Sequence, residues 1–261
     1  MKILKLPAAI LLFAIIILTI PSPASAECGY NWFIKRSGSE QPKAPSELAA
    51  MLNGDCYYLD TALNDESDER IIYLTFDAGY ENGNVEKILD ILKDEGVPAA
   101  FFVLDHLILK NTELVKRMAD EGHLVCNHTK NHKDMTAVSR EEMIKNLTDL
   151  EKIYEEKTGK CLAKFFRFPE GRFNKETVEV ASTLGYKTVF WSLAYADWDN
   201  DRQPNPDKSM KLLLDNTHNG AVVLLHPTSK TNTLILQRLI KSWREMGYRF
   251  GTLDELANKS K

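Results

Sequence analysis

The 261-residue chain contains 33 basic and 37 acidic residues, so its formal net charge is −4. This balance argues against the strongly basic surface that is typical of nucleic-acid-binding proteins. Apolar residues make up 44% of the chain, which is enough for the core of one large α/β domain. The spacing of the four cysteines does not resemble a zinc knuckle.

The first 26 residues (1–26) have the pattern of a secretory signal peptide. Two lysines precede an apolar run from Ala8 to Ile20, and Ala24-Ser25-Ala26 fits the small-x-small cleavage rule. The run is short for a membrane span, and an uncleaved membrane anchor is the alternative. We predict export across the cytoplasmic membrane. Cleavage would remove two lysines and no acid, which changes the formal charge from −4 to −6.

Residues 27–70 are predicted to form an N-terminal extension that packs on the following domain, because so short a segment cannot bury a core of its own. Cys28 and Cys56 lie in this extension and are candidates for a disulfide outside the cytosol. Cys126 and Cys161 lie beside apolar segments, and we predict that both are buried as small apolar side chains.

From residue 71 to residue 257, short apolar segments alternate with amphipathic ones. The predicted strands are 71–76, 99–103, 123–126, 164–168, 187–193, 221–226 and 248–251. The predicted helices are 85–95, 113–121, 139–157, 175–184, 208–216, 232–246 and 253–257. Seven βα units predict a parallel sheet of the α/β class, and their number favours a distorted (β/α) barrel over an open doubly wound sheet. The nucleotide-binding Gly-x-Gly-x-x-Gly and P-loop motifs are both missing from the sequence.

The first predicted strand ends in a carboxylate. Ile71 to Phe76 have the composition of a strand that is covered on both faces, Asp77 follows, and Gly79 supplies a turn. Because α/β folds place their sites at the C-terminal ends of strands, Asp77 is a candidate for catalysis. The alternative is a turn aspartate that caps the helix beginning near Asn84.

His128 and His132 are four residues apart in the polar segment that follows the third strand. One helical turn or a compact loop would place both imidazoles on one side, where they could bind a metal ion. Nitrogen ligands favour zinc or a similar divalent ion over calcium or magnesium. The alternative is a pair of solvated loop histidines.

Two further candidates come from the fourth and sixth strands. Arg167 lies within an apolar segment, where an arginine is costly unless it is paired, and Asp77 is the candidate partner. His226 ends the apolar run Val222–Leu225 and is a candidate general acid, with a hydrogen-bonded core histidine as the alternative. The remaining histidines are predicted to be structural or solvated: His106, His123 and His218.

Five motifs occur in order: Thr-Phe-Asp-x-Gly, His-Thr-x-x-His, Arg-x-Pro-x-Gly, Trp with Asp-Trp, and Leu-Leu-His. Together they resemble the polysaccharide deacetylase (NodB-homology) family from about Ile71 to Leu256. More narrowly, four stretches are similar to the delta-lactam-biosynthetic de-N-acetylases: Asn31-Trp32 with Lys35-Arg36, Gln41-Pro42, Tyr80-Glu81-Asn82-Gly83 and Val189-Phe190-Trp191-Ser192. That subgroup acts on muramic acid in the peptidoglycan of bacterial spore cortex.

The resemblance implies metal-assisted hydrolysis of an acetamide and a role for each matched residue. The implied roles are general base for Asp77, general acid for His226, orientation of the base for Arg167, metal ligands for His128 and His132, and substrate contacts for Trp191, Leu224 and Tyr80. Most family members have a metal-ligating aspartate where this chain has Ala78. A divalent ion, zinc or similar, is therefore expected to bind weakly.

These observations predict a secreted, monomeric peptidoglycan N-acetylmuramic acid deacetylase with no nucleic-acid partner, whose product leads to muramic delta-lactam. An amidase must first free the lactyl carboxylate of the same sugar. Arg172, Lys130 and Lys133 flank catalytic motifs and are candidates to bind that carboxylate. One alternative is a deacetylase of N-acetylglucosamine in peptidoglycan or chitin oligomers, and another is an inactive glycan-binding module.

Overall fold

The computed structural model describes residues 29–64 and 66–259. The predicted signal peptide and Cys28 lie outside the described residues, so the export prediction and the Cys28–Cys56 pairing are not tested by the structure. No helix in the described part of the chain combines the length and the apolar character that a membrane span requires.

Parallel strands form the centre of the fold. The strands are β1 (Tyr30–Asn31), β2 (Cys56–Tyr57), β3 (Ile71–Ala78), β4 (Ala100–Val103), β5 (Leu124–Asn127), β6 (Ala163–Phe166), β7 (Arg172–Phe173), β8 (Lys187–Val189), β9 (Leu193–Ala194), β10 (Ala221–Leu225) and β11 (Arg249–Gly251). The main sheet has the order β2-β8-β6-β5-β4-β3-β10-β9, and β11 also pairs with β3. All of its strand pairs are parallel. The curled sheet confirms the predicted distorted (β/α) barrel.

Most of the helices cover the outside of this sheet, whereas the last one packs with Ile71 and Tyr73 on its inner side. The helices are α1 (Ser46–Ala49), α2 (Val85–Glu95), α3 (Asp105–Lys110), α4 (Thr112–Asp120), α5 (Arg140–Thr158), α6 (Lys175–Thr183), α7 (Pro206–Asp215), α8 (Lys230–Glu245) and α9 (Leu253–Lys259). The seven predicted helices of the barrel are all present. Helix α1 lies in the extension, and α3 is a short additional helix that precedes the predicted 113–121 helix. Short 3-10 turns lie at Met135–Ala137 and Pro169–Gly171.

The predicted strand 187–193 is wrong as one continuous element, because the chain changes partners in its middle. The first part, β8, pairs with β6 and β2, and the second part, β9, pairs with β10. The Phe190 N–H donates to Tyr57 O, whereas the Ser192 N–H donates to Val222 O. The two halves therefore lie near opposite ends of the sheet order, and Trp191 lies at the break.

Strand β3 is buried on both faces, as its composition predicts. Ile71 and Tyr73 belong to the apolar cluster inside the curl, and Ile72, Leu74 and Phe76 belong to the cluster between sheet and helices. Burial of each such side chain stabilises the fold by roughly 1.5–3 kcal/mol. The alternation places β3 firmly between two apolar layers, so the position of its C-terminal end is well defined.

The N-terminal segment packs on this barrel through Trp32. Its ring stacks on Phe190 at 4.5 Å between centroids, and its Nε1–H donates to Trp191 O at 2.9 Å. Strand β1 pairs with β7 antiparallel, and β2 extends the main sheet beside β8. The extension therefore contacts the segment that carries Trp191.

The two cysteines of the barrel differ from each other. Cys126 is fully buried in β5, as predicted. Cys161 is exposed, so its predicted burial is wrong. The strand of this region begins only at Ala163, and Cys161 lies in the turn between α5 and that strand.

Candidate active site

A cavity of about 890 Å³ opens at the C-terminal ends of the central strands. Seven of the predicted site residues line it: Asp77, Tyr80, His128, His132, Trp191, Leu224 and His226. Arg167 lies directly behind Asp77, and Arg172 is outside the lining of the described cavity. Eight further side chains of the lining were not proposed as site residues from the sequence: Arg36, Leu104, Glu170, Ala194, Tyr195, Ala196, Trp198 and Thr228.

Asp77 is held by a buried arginine. Arg167 Nη1 donates to Asp77 Oδ1 at 2.8 Å, so the predicted pair is present and Asp77 does not act as a cap for α2. The other guanidinium nitrogens donate to Thr75 Oγ1 at 2.9 Å and Val189 O at 2.9 Å. Burial on its own would raise the pKa of Asp77, but electrostatic interactions with His128, Arg167 and His226 hold that pKa below its usual value.

The two histidines of the His-Thr-x-x-His motif lie in a compact loop rather than on a helix. Thr129 and His132 adopt left-handed φ angles of 70° and 58°. The His132 N–H donates to Thr129 Oγ1 at 2.9 Å, which explains the use of a threonine in the motif. The imidazole centroids of His128 and His132 are 5.0 Å apart, so the loop brings both rings to one side of the cavity.

The protonation state of His128 fits a metal ligand. His128 Nδ1 lies 2.9 Å from Arg167 O, and because a carbonyl oxygen only accepts, Nδ1 carries the proton and Nε2 keeps a lone pair. Burial lowers the pKa of His128 to about 4, so the ring is neutral near pH 7. Asp77 Oδ2 lies 3.5 Å from His128 Nε2. Across residues 29–64 and 66–259, no group of three or more histidine, cysteine or acidic side chains is arranged to hold a metal ion.

Ala78, which replaces the aspartate of most family members, does not face the cavity. It is fully buried and belongs to the apolar cluster between the sheet and the helices, like the other even-numbered residues of β3. Successive side chains of a strand point to opposite faces, which places Ala78 behind the sheet while Asp77 faces the cavity.

His226 is held by a buried carboxylate that the sequence did not identify as its partner. Asp197 Oδ1 lies 2.8 Å from His226 Nδ1, and Asp197 Oδ2 accepts the His226 backbone N–H at 2.7 Å. Asn232 Nδ2 donates to Asp197 Oδ2 at 2.6 Å. Burial on its own would lower the pKa of His226, but Asp197, and beyond it Asp77, raise that pKa above its usual value.

Trp191 and Leu224 form apolar walls next to these polar groups. Leu224 is 6% exposed and belongs to β10, while Trp191 lies at the break between β8 and β9. Gly171 has a φ of 66°, and a Cβ at this position would come within 2.8 Å of the Trp191 ring. The glycine of the Arg-x-Pro-x-Gly motif is therefore needed both for its backbone conformation and for the position of the tryptophan.

The rim carries exposed aromatic side chains. Tyr80 and Trp198 line the cavity while remaining 42% and 60% exposed. Tyr80 also contacts Asn200 through its hydroxyl. Flat apolar rings at the mouth of a polar cavity are suited to contact with the faces of sugar rings.

The three basic residues proposed from the sequence are each paired with acids. Arg172 lies 3.4 Å from Asp134 and 3.2 Å from Glu170. The two lysines also form ion pairs, Lys130 with Asp149 at 3.7 Å and Lys133 with Glu142 at 2.9 Å. None of the three lines the described cavity, so their positions give less support to a role in substrate binding than those of the lining residues do.

Residues 64–189 match the polysaccharide deacetylase family. The chain belongs to this family, which comprises hydrolases of N-acetyl amide groups. Among its relatives is the peptidoglycan-N-acetylmuramic acid deacetylase PdaA of Bacillus subtilis, which is 36% identical over 87% of this chain and 85% of that protein. The peptidoglycan-N-acetylglucosamine deacetylase PgdA of Listeria monocytogenes is 34% identical over 71% of this chain and 38% of that protein.

Solved structures show the same fold. The structure of Bacillus subtilis PdaA, described as a family 4 carbohydrate esterase, matches with a TM-score of 0.83 and 34% identity, and the match covers 91% of this chain and 100% of that one. A family 4 carbohydrate esterase from Bacillus anthracis matches with a TM-score of 0.72 and 36% identity, covering 89% of this chain and 97% of that one.

Proposed function

We propose that this chain is a peptidoglycan deacetylase that hydrolyses the acetamide of N-acetylmuramic acid to acetate and a free amine. The observation that carries the proposal is the similarity to PdaA, which covers 87% of this chain and 85% of that relative. The similarity to the N-acetylglucosamine deacetylase PgdA covers 71% of this chain and 38% of that relative. The greater coverage of PdaA therefore favours N-acetylmuramic acid over N-acetylglucosamine as the substrate.

Asp77 is suited to remove a proton from the attacking water. The Arg167 contact at 2.8 Å and the lowered pKa keep the carboxylate ionised near pH 7, and its Oδ2 faces His128. Arg167 is itself fixed by Thr75 and Val189, so it positions the base instead of contacting the reacting atoms. A positioned base of this kind accelerates a reaction about 10²–10⁴-fold.

His226 is suited to protonate the leaving nitrogen. The carboxylate of Asp197 at Nδ1 holds one proton of the ring, and the raised pKa favours a second proton on Nε2. The acid and the base line the same cavity, so both can reach one acetamide. Trp191 and Leu224 would enclose the methyl group, and Tyr80 would contact the sugar.

His128 and His132 are the residues that would hold a divalent cation, and Ala78 would leave that site one carboxylate short. When bound, zinc or a similar ion polarises the acetamide oxygen and favours ionisation of water. His128 is prepared for this role by its Nδ1 contact with Arg167 O, which directs the free lone pair of Nε2 away from the backbone.

The proposed product accounts for the predicted delta-lactam, the need for an amidase and the predicted export of the enzyme. The freed amine lies near the lactyl carboxylate of the same sugar, so closure of a muramic delta-lactam, as in spore cortex, would be nearly intramolecular. The carboxylate must first be released from its stem peptide by an amidase. Such a substrate lies outside the cytoplasm, in agreement with the predicted signal peptide at residues 1–26, and the enzyme would act as a monomer.

The test is incubation of the purified protein with peptide-stripped and peptide-bearing glycan strands, followed by mass analysis. The expected result is loss of acetyl groups from muramic acid in the stripped strands, with Asp77→Asn as the inactive control. Loss of acetyl groups only from N-acetylglucosamine would replace the proposal with the alternative substrate.

An inactive glycan-binding module is the alternative of another class. One similar solved structure, with a TM-score of 0.70, 27% identity and coverage of 80% of this chain and 70% of that one, is described as a pseudoenzyme from Bacillus anthracis. The presence of both an acid and a base in one cavity favours an enzyme here. Binding of stripped strands without release of acetate would support the module.

A further inference from the structure

A second hollow, of about 450 Å³, adjoins the catalytic cavity. Its lining consists of Ile34, Lys35, Arg36, Trp191, Ser192 and Ala194. Arg36, Trp191 and Ala194 also line the catalytic cavity, so the two spaces meet at these three residues. We propose that Arg36 binds the lactyl carboxylate of the muramic acid residue and so sets the preference for sugars that have lost their stem peptide. This inference rests on the proposed function.

The charge of the hollow suits an anion. Lys35 and Arg36 supply two positive charges, and the lining includes no acidic residue from the described part of the chain. Arg36 forms no ion pair with any acid among residues 29–64 and 66–259, and its Nη2 donates to Ala194 O at 3.2 Å. A guanidinium has five N–H donors, so most of its fork remains available for a carboxylate.

The position of Arg36 also suits the geometry of the sugar. The carbonyl that it contacts belongs to Ala194, which is the register partner of Leu224 in the neighbouring strand. Leu224 and Trp191 are the proposed walls for the acetyl group. The acetamide and the lactyl ether of muramic acid occupy adjacent ring carbons, so the lactyl carboxylate must lie beside the acetyl pocket. Arg36 is the basic residue of the described cavity lining that lies there.

Arg36 lines the cavity and has no acidic partner among the described residues, unlike the basic residues that the sequence suggested. Arg172, Lys130 and Lys133 each contact at least one acid, and none of them lines the described cavity. A carboxylate that approached them would have to displace an existing partner. The carboxylate of the sugar would meet no such competition at Arg36.

The experiment measures kcat/KM on two matched substrates. Peptide-stripped strands carry the free lactyl carboxylate, and the same strands with that carboxylate converted to a primary amide carry no charge there. The parent is compared with Arg36→Gln, Arg36→Lys and Arg238→Gln. Arg238 lies on α8 with a 64% exposed side chain near Asp207, so its replacement removes one positive charge elsewhere on the surface.

The expected result is a parent that prefers the free acid. Arg36→Gln should lower kcat/KM on the acid about tenfold to a hundredfold, because a charge-assisted contact is lost, and leave the amide substrate unchanged. The kcat/KM of Arg36→Lys on the acid should lie between those of the parent and Arg36→Gln, since lysine keeps the charge without the planar guanidinium. Arg238→Gln should keep the preference of the parent. Melting temperatures of all variants verify that the extension remains docked.

Two results would overturn the inference, and only one of them would also contradict the proposed function. If the parent acts on muramic acid and Arg36→Gln keeps its full preference for the acid, only the role of Arg36 is wrong. If the parent does not deacetylate muramic acid in either substrate, the proposed function fails together with the inference.

Discussion

The two walls of the catalytic cavity contain the same kind of ion pair in opposite orientations. On one wall the carboxylate of Asp77 faces the cavity with 10% of its side chain exposed, and Arg167 behind it is 0% exposed. On the other wall the imidazole of His226 is 24% exposed, and the carboxylate of Asp197 behind it is 0% exposed. In both pairs the hidden partner is held in place by further hydrogen bonds.

The difference shows how one kind of interaction can prepare a base and an acid. A buried cation behind a carboxylate favours the ionised form, and the pKa of Asp77 is held below its usual value. A buried carboxylate behind an imidazole favours the protonated form, and the pKa of His226 is raised. The member that faces the cavity therefore determines the chemistry, and the hidden member determines its protonation state.

The largest effect is expected on the base wall. Asp77→Asn keeps the shape of the side chain and an acceptor for Arg167 but removes the proton acceptor, so acetate release should fall about 10²–10⁴-fold. Asp215→Asn, at a surface ion pair with Lys211, is the control. The melting temperature separates a catalytic loss from unfolding. Near-normal turnover by folded Asp77→Asn would contradict its role as the base.

A loss of similar size is expected on the acid wall, but with a different signature. His226→Ala should lower deacetylation of the glycan about 10²–10⁴-fold, because the amine would have to leave without a proton. The substitution also leaves space for a small ring, so added imidazole should restore part of the rate. Acetate release by His226→Ala would be measured as imidazole is titrated. If His226→Ala kept the parent rate without imidazole, the assignment of the acid would be wrong.

A smaller effect is expected when the hidden carboxylate of the acid wall is changed. The parent should lose kcat/KM as the pH rises through the raised pKa of His226. Asp197→Asn removes the charge that raises this pKa, so the alkaline limb should move to lower pH, while the acid limb should change little. A pH profile of kcat/KM for both proteins measures the shift. An unchanged alkaline limb would show that Asp197 does not act through His226.

The smallest effect on rate is expected from Ala78→Asp, which adds a carboxylate next to the base wall. Two imidazoles leave most of a coordination shell to water, so the parent should bind zinc weakly. The side chain at position 78 lies behind the sheet, so the added carboxylate should not reach the ion, and Ala78→Asp should bind zinc no more tightly than the parent. Because Ala78 packs in an apolar cluster, the variant should also melt at a lower temperature without metal. Calorimetric zinc titrations of the parent, Ala78→Asp and His128→Ala test this. Equally tight binding by all three would place the metal elsewhere.

The sequence predicted best what depends on local pattern. The alternation of apolar segments predicted the barrel, and the apolar setting of Arg167 predicted its pairing with Asp77 across 90 positions of the chain. The roles assigned to these residues stay predictions that the proposed variants test.

The sequence did not predict contacts that depend on the closed fold. Asp197 was visible only as part of the Asp-Trp motif, with no partner indicated, and its pairing with His226 arises because β9 and β10 are neighbours. Arg36 lies in an irregular extension without periodicity, and its place in the cavity depends on the docking of Trp32 against Phe190. The break at Trp191 likewise follows from a change of strand partners that a continuous apolar run conceals.

The division of labour between the walls is tested most directly by changing the leaving group. The parent, Asp77→Asn and His226→Ala are compared on acetylated glycan and on an aryl acetate, whose phenolate leaves without protonation. We predict that Asp77→Asn loses activity on both substrates. His226→Ala should lose activity on the glycan but hydrolyse the ester nearly as fast as the parent. Equal losses of His226→Ala on both substrates would contradict the assignment of His226 as the acid.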